Sequence, residues 1–528
     1  MTAAAHVAVI GAGPAGLAAI KSLLDEGFEV TCFEQRANPG GIWAFSEDAT
    51  HTSVTSQTKA QLSKFLTPFS DFPHSDDVPR HPTGAHLGAY YRDYAIHYGL
   101  MDKIRFGTTV ESIKRDESRK LWLVKISGED TMRPFDKIIY AVGTETKAKL
   151  PTIEGQEQFQ GRLIHGQAYK RPEEFAGMNV IVLGQGNSAA DCAVELTGKA
   201  SKVYFAHRRG ALVIPRMVKG KRFDRFAMWK AVSTLFWAER FFPALHAWMI
   251  NKNFTAAMRS SWGEIEPEFR FDWHPRYASN VTGVLMTDDL IPALRDGRVK
   301  STWALRKIVG PKAVEMEDGT VLDDVDAIIC CTGYSTPFGV FDETAIKFNE
   351  PDPKVPPQPN LYYNVISPEY PDSLAFLNFA VLFGSASQCR ELASMAIAQI
   401  WRGKSSLPPR EEMDRQIRER QSWYVKRCYT EPLVQLEGLV EPDSWLRWVH
   451  STAGTGLYEN LGWTWQGLRF SLRHPRTYLL LAYGVNTPHM LRYFETGKRK
   501  AWDGAMEAIR HANKMSRLDL SKKEEKQE

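Results

Sequence analysis

Residues 7–34, VAVIGAGPAGLAAIKSLLDEGFEVTCFE, admit few folds. An apolar run (7–10) reads as a buried strand, Gly11, Gly13 and Gly16 as a turn, residues 14–26 as an Ala/Leu-rich helix, and residues 29–33 as a second strand. Each glycine has a physical task. Gly11 allows the sharp strand-to-helix turn, Gly13 lets backbone approach a pyrophosphate, and Gly16 lets helix and strand pack closely. Amides and the positive dipole at the helix start, around Ala15, then favour phosphate. Glu34, followed by Gln35, ends the second strand, where a carboxylate can accept both ribose hydroxyls of an adenosine. Strand, glycines, helix and acid stand in register, which a chance glycine-rich turn does not reproduce.

The same theme returns at residues 179–196, NVIVLGQGNSAADCAVEL, with Gly184, Gly186, Asn187 and Ser188 opening a helix and Ala189 where the third glycine would stand. Its second strand, residues 202–206, ends differently: His207, Arg208 and Arg209 replace the acid. Guanidinium groups bind a 2′-phosphate that a carboxylate would repel. The first site therefore suits FAD and the second NADPH; the competing reading of Arg208 and Arg209 is a solvated surface pair.

Length and composition fit this α/β reading. A chain of 528 residues, 43% apolar and 24% charged, has room for two or three domains. A net charge of +4 without a basic stripe argues against nucleic acid as a partner. No apolar run approaches the roughly 18 residues of a spanning helix, and the first apolar run is the nucleotide-binding strand rather than a signal peptide. The six cysteines contain no C-x-x-C pair, which disfavours a dithiol redox centre or zinc ribbon and predicts free thiols in the cytoplasm.

Between the two fingerprints, Gly41, Ile42 and Trp43 in NPGGIWAF bring backbone and an aromatic wall close to a flat or phosphorylated ligand, with a loop carrying a core Trp as the plainer reading. Val110 is a candidate backbone contact to adenine, and Ala141 lies in the strand end YAVG. The run DDVDAIICCTGY, with Thr332 and Gly333, parallels YAVG, and both are expected to return the chain to the first sheet. Residues 226–250 are aromatic-rich, with Pro243 predicted to kink or end a helix. They read as a helical cap over the active site, or as a surface that docks on a membrane or an apolar substrate. Helices are expected from about residue 411 onward, before a charged tail.

The linking segment FQGRLIHGQAY fits F-x-G-x-x-x-H-x-x-x-Y and contains His165 and Tyr169. Together with GAGPAG, GGIW, FSDFP, GQGNSAAD and CTGY, in that family's order over residues 7–509, it resembles the flavin-containing monooxygenases. The resemblance implies two Rossmann-like domains. The FAD domain would be discontinuous (1–165 and 324–445), the NADPH domain (166–323) inserted in it with a helical insertion at 222–275, and a helical extension would occupy 446–528. It further implies that NADPH reduces FAD, that dioxygen forms a flavin hydroperoxide, and that one oxygen atom passes to a soft nucleophile, an amine or a sulfide. Tyr169 stands where related Baeyer–Villiger enzymes carry Trp, favouring N- or S-oxygenation. His165 is expected to act conformationally. Where the family has a flavin-side Asn, this chain offers Ser56 or Gln57, which leaves open an NADPH oxidase that releases peroxide. Baeyer–Villiger oxygenation of a ketone and a non-catalytic flavin-binding protein compete with these two activities. The expected assembly is a monomer or homodimer acting on a small molecule and dioxygen.

Overall fold

A computed structural model of the chain describes residues 4–55, 58–208, 210–271, 284–342, 345–377, 379–382, 384–430 and 437–521. The chain begins β1 (His6–Ile10), α1 (Pro14–Asp25), β2 (Glu29–Phe33), α2 (Gly84–His97), β3 (Ile104–Arg105) and β4 (Lys137–Tyr140). There follow β5 (Arg162–His165), β6 (Asn179–Leu183), α3 (Asn187–Glu195), β7 (Lys202–His207), α4 (Trp229–Phe241), α5 (Pro243–Trp262), β8 (Lys300–Trp303) and β9 (Ala327–Cys330). The last part comprises β10 (Leu374–Phe376), α6 (Ala386–Trp401), α7 (Arg410–Thr430), α8 (Pro442–Ala453), α9 (Trp465–Arg473), α10 (Pro475–Tyr483) and α11 (Ala505–Ser521).

Two five-stranded parallel sheets organise these elements. The first has the order β10-β4-β1-β2-β3 and the second β8-β7-β6-β9-β5. Their central strands are buried on both faces, which is why they read as unbroken apolar runs. The expectation that residues 323–334 return to the first sheet needs correction. β9 pairs with β6 (Ile181 opposite Ile328) and with β5 (Leu163 opposite Ile328), inside the second sheet. A strand buried on both faces has no polar face to mark its neighbours, so either sheet satisfies the sequence pattern. A short antiparallel pair, Lys147–Ala148 with Tyr334–Ser335, joins the two units.

The predicted aromatic segment forms α4 and α5, with Pro243 at the start of α5, where its missing N–H costs nothing. Val314–Met316 and Val321–Leu322 form a hairpin, with Val314 opposite Leu322. α6 covers α1 and is itself packed against α8. No helix among the described residues is long and apolar enough to cross a membrane, and all six cysteines are free thiols.

Candidate active site and cofactor sites

At the carboxyl end of β1 the chain turns through Gly11, whose φ of +99° and hydrogen bond from its N–H to the Phe33 carbonyl (2.8 Å) suit glycine. A Cβ on Gly16 would sit 1.8 Å from the Gly11 oxygen. Helix and strand therefore touch through backbone, and Ala15 and the rest of the first turn of α1 are buried. The second glycine loop folds onto this turn. Gly40 N–H donates to Ala12 O (2.9 Å), and a Cβ on Gly41 would lie 3.0 Å from Gly13 Cα. Gly41, Ile42 and Trp43 form one 3-10 turn, with Trp43 half-buried. Ala141 closes the other side: its N–H donates to Ile10 O (2.9 Å), and its oxygen would be 2.9 Å from a Cβ on Gly11.

Glu34 is buried. Its Oε2 accepts the Ala12 N–H (2.7 Å) and its Oε1 the Arg36 N–H (2.9 Å), so each oxygen keeps a lone pair for a ribose hydroxyl. Gln35 is exposed. Sequence reasoning missed Arg36, which ties the two loops together through Gly41 O (2.7 Å) and Thr52 O (2.6 Å). Its signal was a cation two residues beyond the strand-ending acid. Val110 is half-buried at the start of the strand Val110–Asp116, near the Glu34 end of β2, where Thr108 N–H donates to Glu34 O (2.9 Å).

The second turn repeats the construction. Gly184 has φ +142° and would clash with Cys331 O at 2.5 Å if it carried a Cβ. Gly186 faces open space at the head of α3, with Ser188 exposed beside it. Asn187 is occupied structurally, its Oδ1 accepting the Met286 N–H (3.0 Å). Arg208 is exposed just beyond β7; Arg209 lies outside the described residues. Thr332 and Gly333 lie on the crossing between the two sheets, with the Thr332 hydroxyl donating to Lys149 O (2.5 Å) and Gly333 O accepting the Lys149 N–H (3.0 Å).

His165 ends β5, buried, with Nδ1 accepting the Gln167 N–H (3.1 Å) and its ring edge-on to Tyr334 at 4.9 Å. Burial lowers its pKa, which keeps the ring neutral and able to accept that bond. It caps the turn that carries Gln167, whose amide donates to Thr52 Oγ1 (2.8 Å) and Thr146 O (2.9 Å) in the first unit.

Ser56 and Gln57 lie outside the described residues, but their flanks are anchored from the second unit. The Thr55 hydroxyl donates to Glu195 Oε1, and the Tyr169 hydroxyl donates to Glu195 Oε2 (3.3 Å). Arg216 donates to Lys59 O (2.9 Å) and Ala60 O (3.1 Å). Burial pushes the Asp191 carboxyl up to about 6, against the pull of Arg216 and the Thr58 hydroxyl. Because its folded pKa lies above the unfolded value of 3.8, folding takes up a proton between those values, and stability falls as pH rises through that window. Asp191→Asn is therefore expected to raise the thermal midpoint at pH 8, by the equivalent of about 1–2 kcal/mol, while leaving it unchanged near pH 4; a pH series of melting curves checks this.

A family model described as flavin-binding monooxygenase-like matches residues 4–526. The chain belongs to that family. Among curated relatives, this monooxygenase is 34% identical over 515 residues to the monooxygenase aurF of Gibberella zeae, covering 95% of this chain and 96% of the relative. It is 31% identical over 525 residues to flavin-containing monooxygenase 5 of Oryctolagus cuniculus, covering 96% and 91%. Its fold matches S-allyl-L-cysteine S-oxygenase from Allium sativum (TM-score 0.60, 19% identity, 90% of this chain and 95% of that one). It also matches NADP+-bound cyclohexanone monooxygenase from Rhodococcus sp. Phi1 (TM-score 0.63, 16% identity, 87% and 99%). The protein is a flavin-dependent monooxygenase, acting with dioxygen on a small molecule. The residues present fit FAD. Side chains would fill the glycine cradle between residues 11–16 and 40–41, and the Glu34 carboxylate retains acceptor capacity beside it.

Proposed function

We propose that this monooxygenase oxygenates a soft nucleophile, an amine or a sulfide. Tyr169 carries the reading: its hydroxyl joins Glu195 and Thr55 in one chain of hydrogen bonds, and Thr55 immediately precedes Ser56 and Gln57 in sequence. When bound, FAD supplies dioxygen activation and NADPH the reducing hydride. The protein's part is to bind, orient and exclude water. Gly11, Gly13, Gly16, Gly41, Ile42, Trp43 and Ala141 cradle the flavin nucleotide, Glu34 holds its ribose, and Val110 lies by its adenine. Gly184, Gly186, Asn187, Ser188, Arg208 and Arg209 hold NADPH, with Thr332 and Gly333 at the crossing. Ser56 or Gln57 replaces the family's flavin-side Asn, and His165 sets the linker's shape. The FAD and NADPH domains follow the two sheets, so the second runs through β5 and β9.

The test is product analysis with NADPH, dioxygen and a panel of amines, sulfides and ketones. N- or S-oxide is expected to dominate. Ester from the ketones would establish the Baeyer–Villiger reaction instead, and stoichiometric peroxide with every substrate an oxidase. A double Arg208→Ala, Arg209→Ala change is expected to weaken NADPH roughly 10- to 100-fold with NADH unaffected, since only NADPH offers the charge-assisted bonds. Equal losses for both nucleotides would remove these arginines from the 2′-phosphate site.

We also propose that α4, α5, α9 and α10 dock the enzyme on an anionic membrane surface. Trp463 and Trp465 are 92% and 86% exposed, and Trp237, Phe241, Phe242, Leu245, Trp248, Leu472 and Leu479 are exposed as well. The ammonium of the buried Lys230 lies 4.1 Å from the Trp463 ring centroid, and the exposed Thr234, Trp237 and Phe241 follow it at helical spacing, so the two aromatic groups share one surface. Arg469, Arg473 and Arg476 flank it. No acid occurs between Asn460 and Phe494, and the single acid between Arg225 and Trp262, Glu239, is buried. Such a face suits a negative headgroup layer. Co-sedimentation with phosphatidylserine-containing vesicles is expected, falling roughly tenfold in a Trp463→Ser, Trp465→Ser variant. Equal partitioning of the variant, or a dimer of the parent chain that the variant loses, would assign the face to another role.

A further inference from the structure

We infer that Arg270, braced against Trp303, is a second guanidinium for the NADPH 2′-phosphate and helps the enzyme to distinguish NADPH from NADH. The inference rests on reading the carboxyl edge of β7 and β8 as the adenosine end of the second nucleotide site.

The two strands run parallel, with His207 opposite Trp303, so both carboxyl ends emerge together beside Arg208. Ligands of open parallel sheets bind at that edge, and the group after the second strand of the nucleotide unit meets the ribose 2′-position. Arg270 reaches the same edge from far along the chain. Its Nη1 donates to His207 O (3.1 Å) and Thr302 O (3.1 Å), carbonyls at the ends of the two strands. Its guanidinium carbon lies 3.3 Å from the centroid of the Trp303 ring, a stacked cation–π contact, and that indole is 40% exposed. The next residue, Phe271, stacks on His207 with centroids 5.2 Å apart and planes 9° from parallel, which fixes the approach of the segment.

Two further features mark the arrangement as a site rather than a surface accident. Arg270 has φ +59°, a left-handed conformation sparsely populated by residues other than glycine, retained where the surroundings over-determine it. Among the described residues its Nε and Nη2 make no hydrogen bond, and no carboxylate forms an ion pair with it. A planar cation is thus held by one nitrogen and a ring face while the remaining N–H groups stay available, which is the preorganised fork that recognises phosphate. Arg208 is exposed on a bend and lacks such bracing.

Calorimetric titration of the FAD-loaded enzyme with adenosine 2′,5′-bisphosphate and with adenosine 5′-monophosphate tests the assignment without turnover. Arg270→Gln keeps an NH2 group able to donate to the strand carbonyls but no charge; Arg270→Ala removes both. Each is expected to weaken the bisphosphate about tenfold and to leave the monophosphate within about twofold. Equal weakening of both ligands would show that Arg270 only supports the fold, and the inference would fall. Unchanged bisphosphate affinity in both variants, with a loss in Arg208→Ala, would overturn the role of Arg270 and leave the reading of this edge standing. Unchanged affinity in all three variants would overturn that reading too.

Discussion

Gly16→Val is expected to yield a chain that retains no FAD. A Cβ at this position would lie 1.8 Å from the Gly11 carbonyl oxygen, well inside contact distance, and the atom it meets is backbone. Relief requires α1 to move away from β1. Neither partner has room: Val7, Val9, Leu17 and Ile20 are fully buried, and α6 packs on the far side of α1. Overpacking of this kind costs roughly 1–3 kcal/mol even where side chains can adjust, and here the backbone itself must yield. The displacement falls on the Gly11 turn and on the first-turn amides of α1, the proposed seat of the flavin nucleotide, so cofactor affinity is lost before the fold. Gly27→Ala is the control. Gly27 also has positive φ (+80°), but a Cβ there meets nothing within 4 Å, so the variant loses about 1 kcal/mol and keeps its flavin. The flavin absorbance per protein after gel filtration decides the matter. Stoichiometric FAD in Gly16→Val would mean that close packing of helix and strand does not set this site.

The second large effect lies in a buried ionic cluster built around Ser70 and Asp71 of the FSDFP motif. Arg492 Nε lies 3.3 Å from Asp71 Oδ2 and 3.8 Å from Glu391 Oε1, and its Nη1 lies 3.4 Å from Asp25 Oδ2. It also donates to Ser70 Oγ (2.8 Å), and Glu391 accepts the Ser70 N–H (2.8 Å). Burial raises the Asp71 carboxyl, but Arg492 and Lys21 outweigh it and hold it below its ordinary range. Burial and the neighbouring Asp71 push Glu391 up to about 7. Arg492→Leu removes the shared cation and leaves buried carboxylates facing each other, at a cost of about 3–5 kcal/mol. Glu391 then takes up a proton more readily. Since its folded pKa is above the unfolded value, the destabilisation grows as pH rises through about 7. Urea midpoints at pH 6 and pH 8 are expected to fall in the variant, and further at pH 8. A loss that is equal at both values would exclude Glu391 as the titrating partner.

The two nucleotide units were legible because their constraints are local. A glycine that must meet backbone, as Gly11, Gly16 and Gly184 do, cannot be exchanged for another residue, and the strand-ending Glu34 and Arg208 follow at fixed spacing. What escaped reading depends on contacts between distant segments. Arg36 bridges two loops, Arg492 draws together α1, α6 and the segment before α11, and Arg270 meets Trp303 across 33 residues. None of these partners is announced by periodicity. The sheet that β9 joins is not legible for a related reason, since an all-apolar strand specifies burial but not a neighbour. The exposed tryptophans of the α9 segment stood in an amphipathic pattern whose apolar face turned outward, and that orientation is visible only once α4 is seen beside it.

The path of the chain through its sheets has a consequence for biosynthesis. The first sheet opens with β1 but receives its last strand, β10, only after the whole second sheet has been laid down, and α1 is covered by the still later α6. The second sheet is continuous from Arg162 to Cys330 and can close as soon as β9 leaves the ribosome. A nascent chain therefore assembles its second sheet while the earlier-synthesised first sheet waits with an apolar flank of α1 uncovered. Non-local pairing of this kind is slow and exposed to misassociation. Flavin capture becomes one of the last events in maturation, and translation that halts before residue 374 leaves a polypeptide with a closed second sheet and an unfinished first.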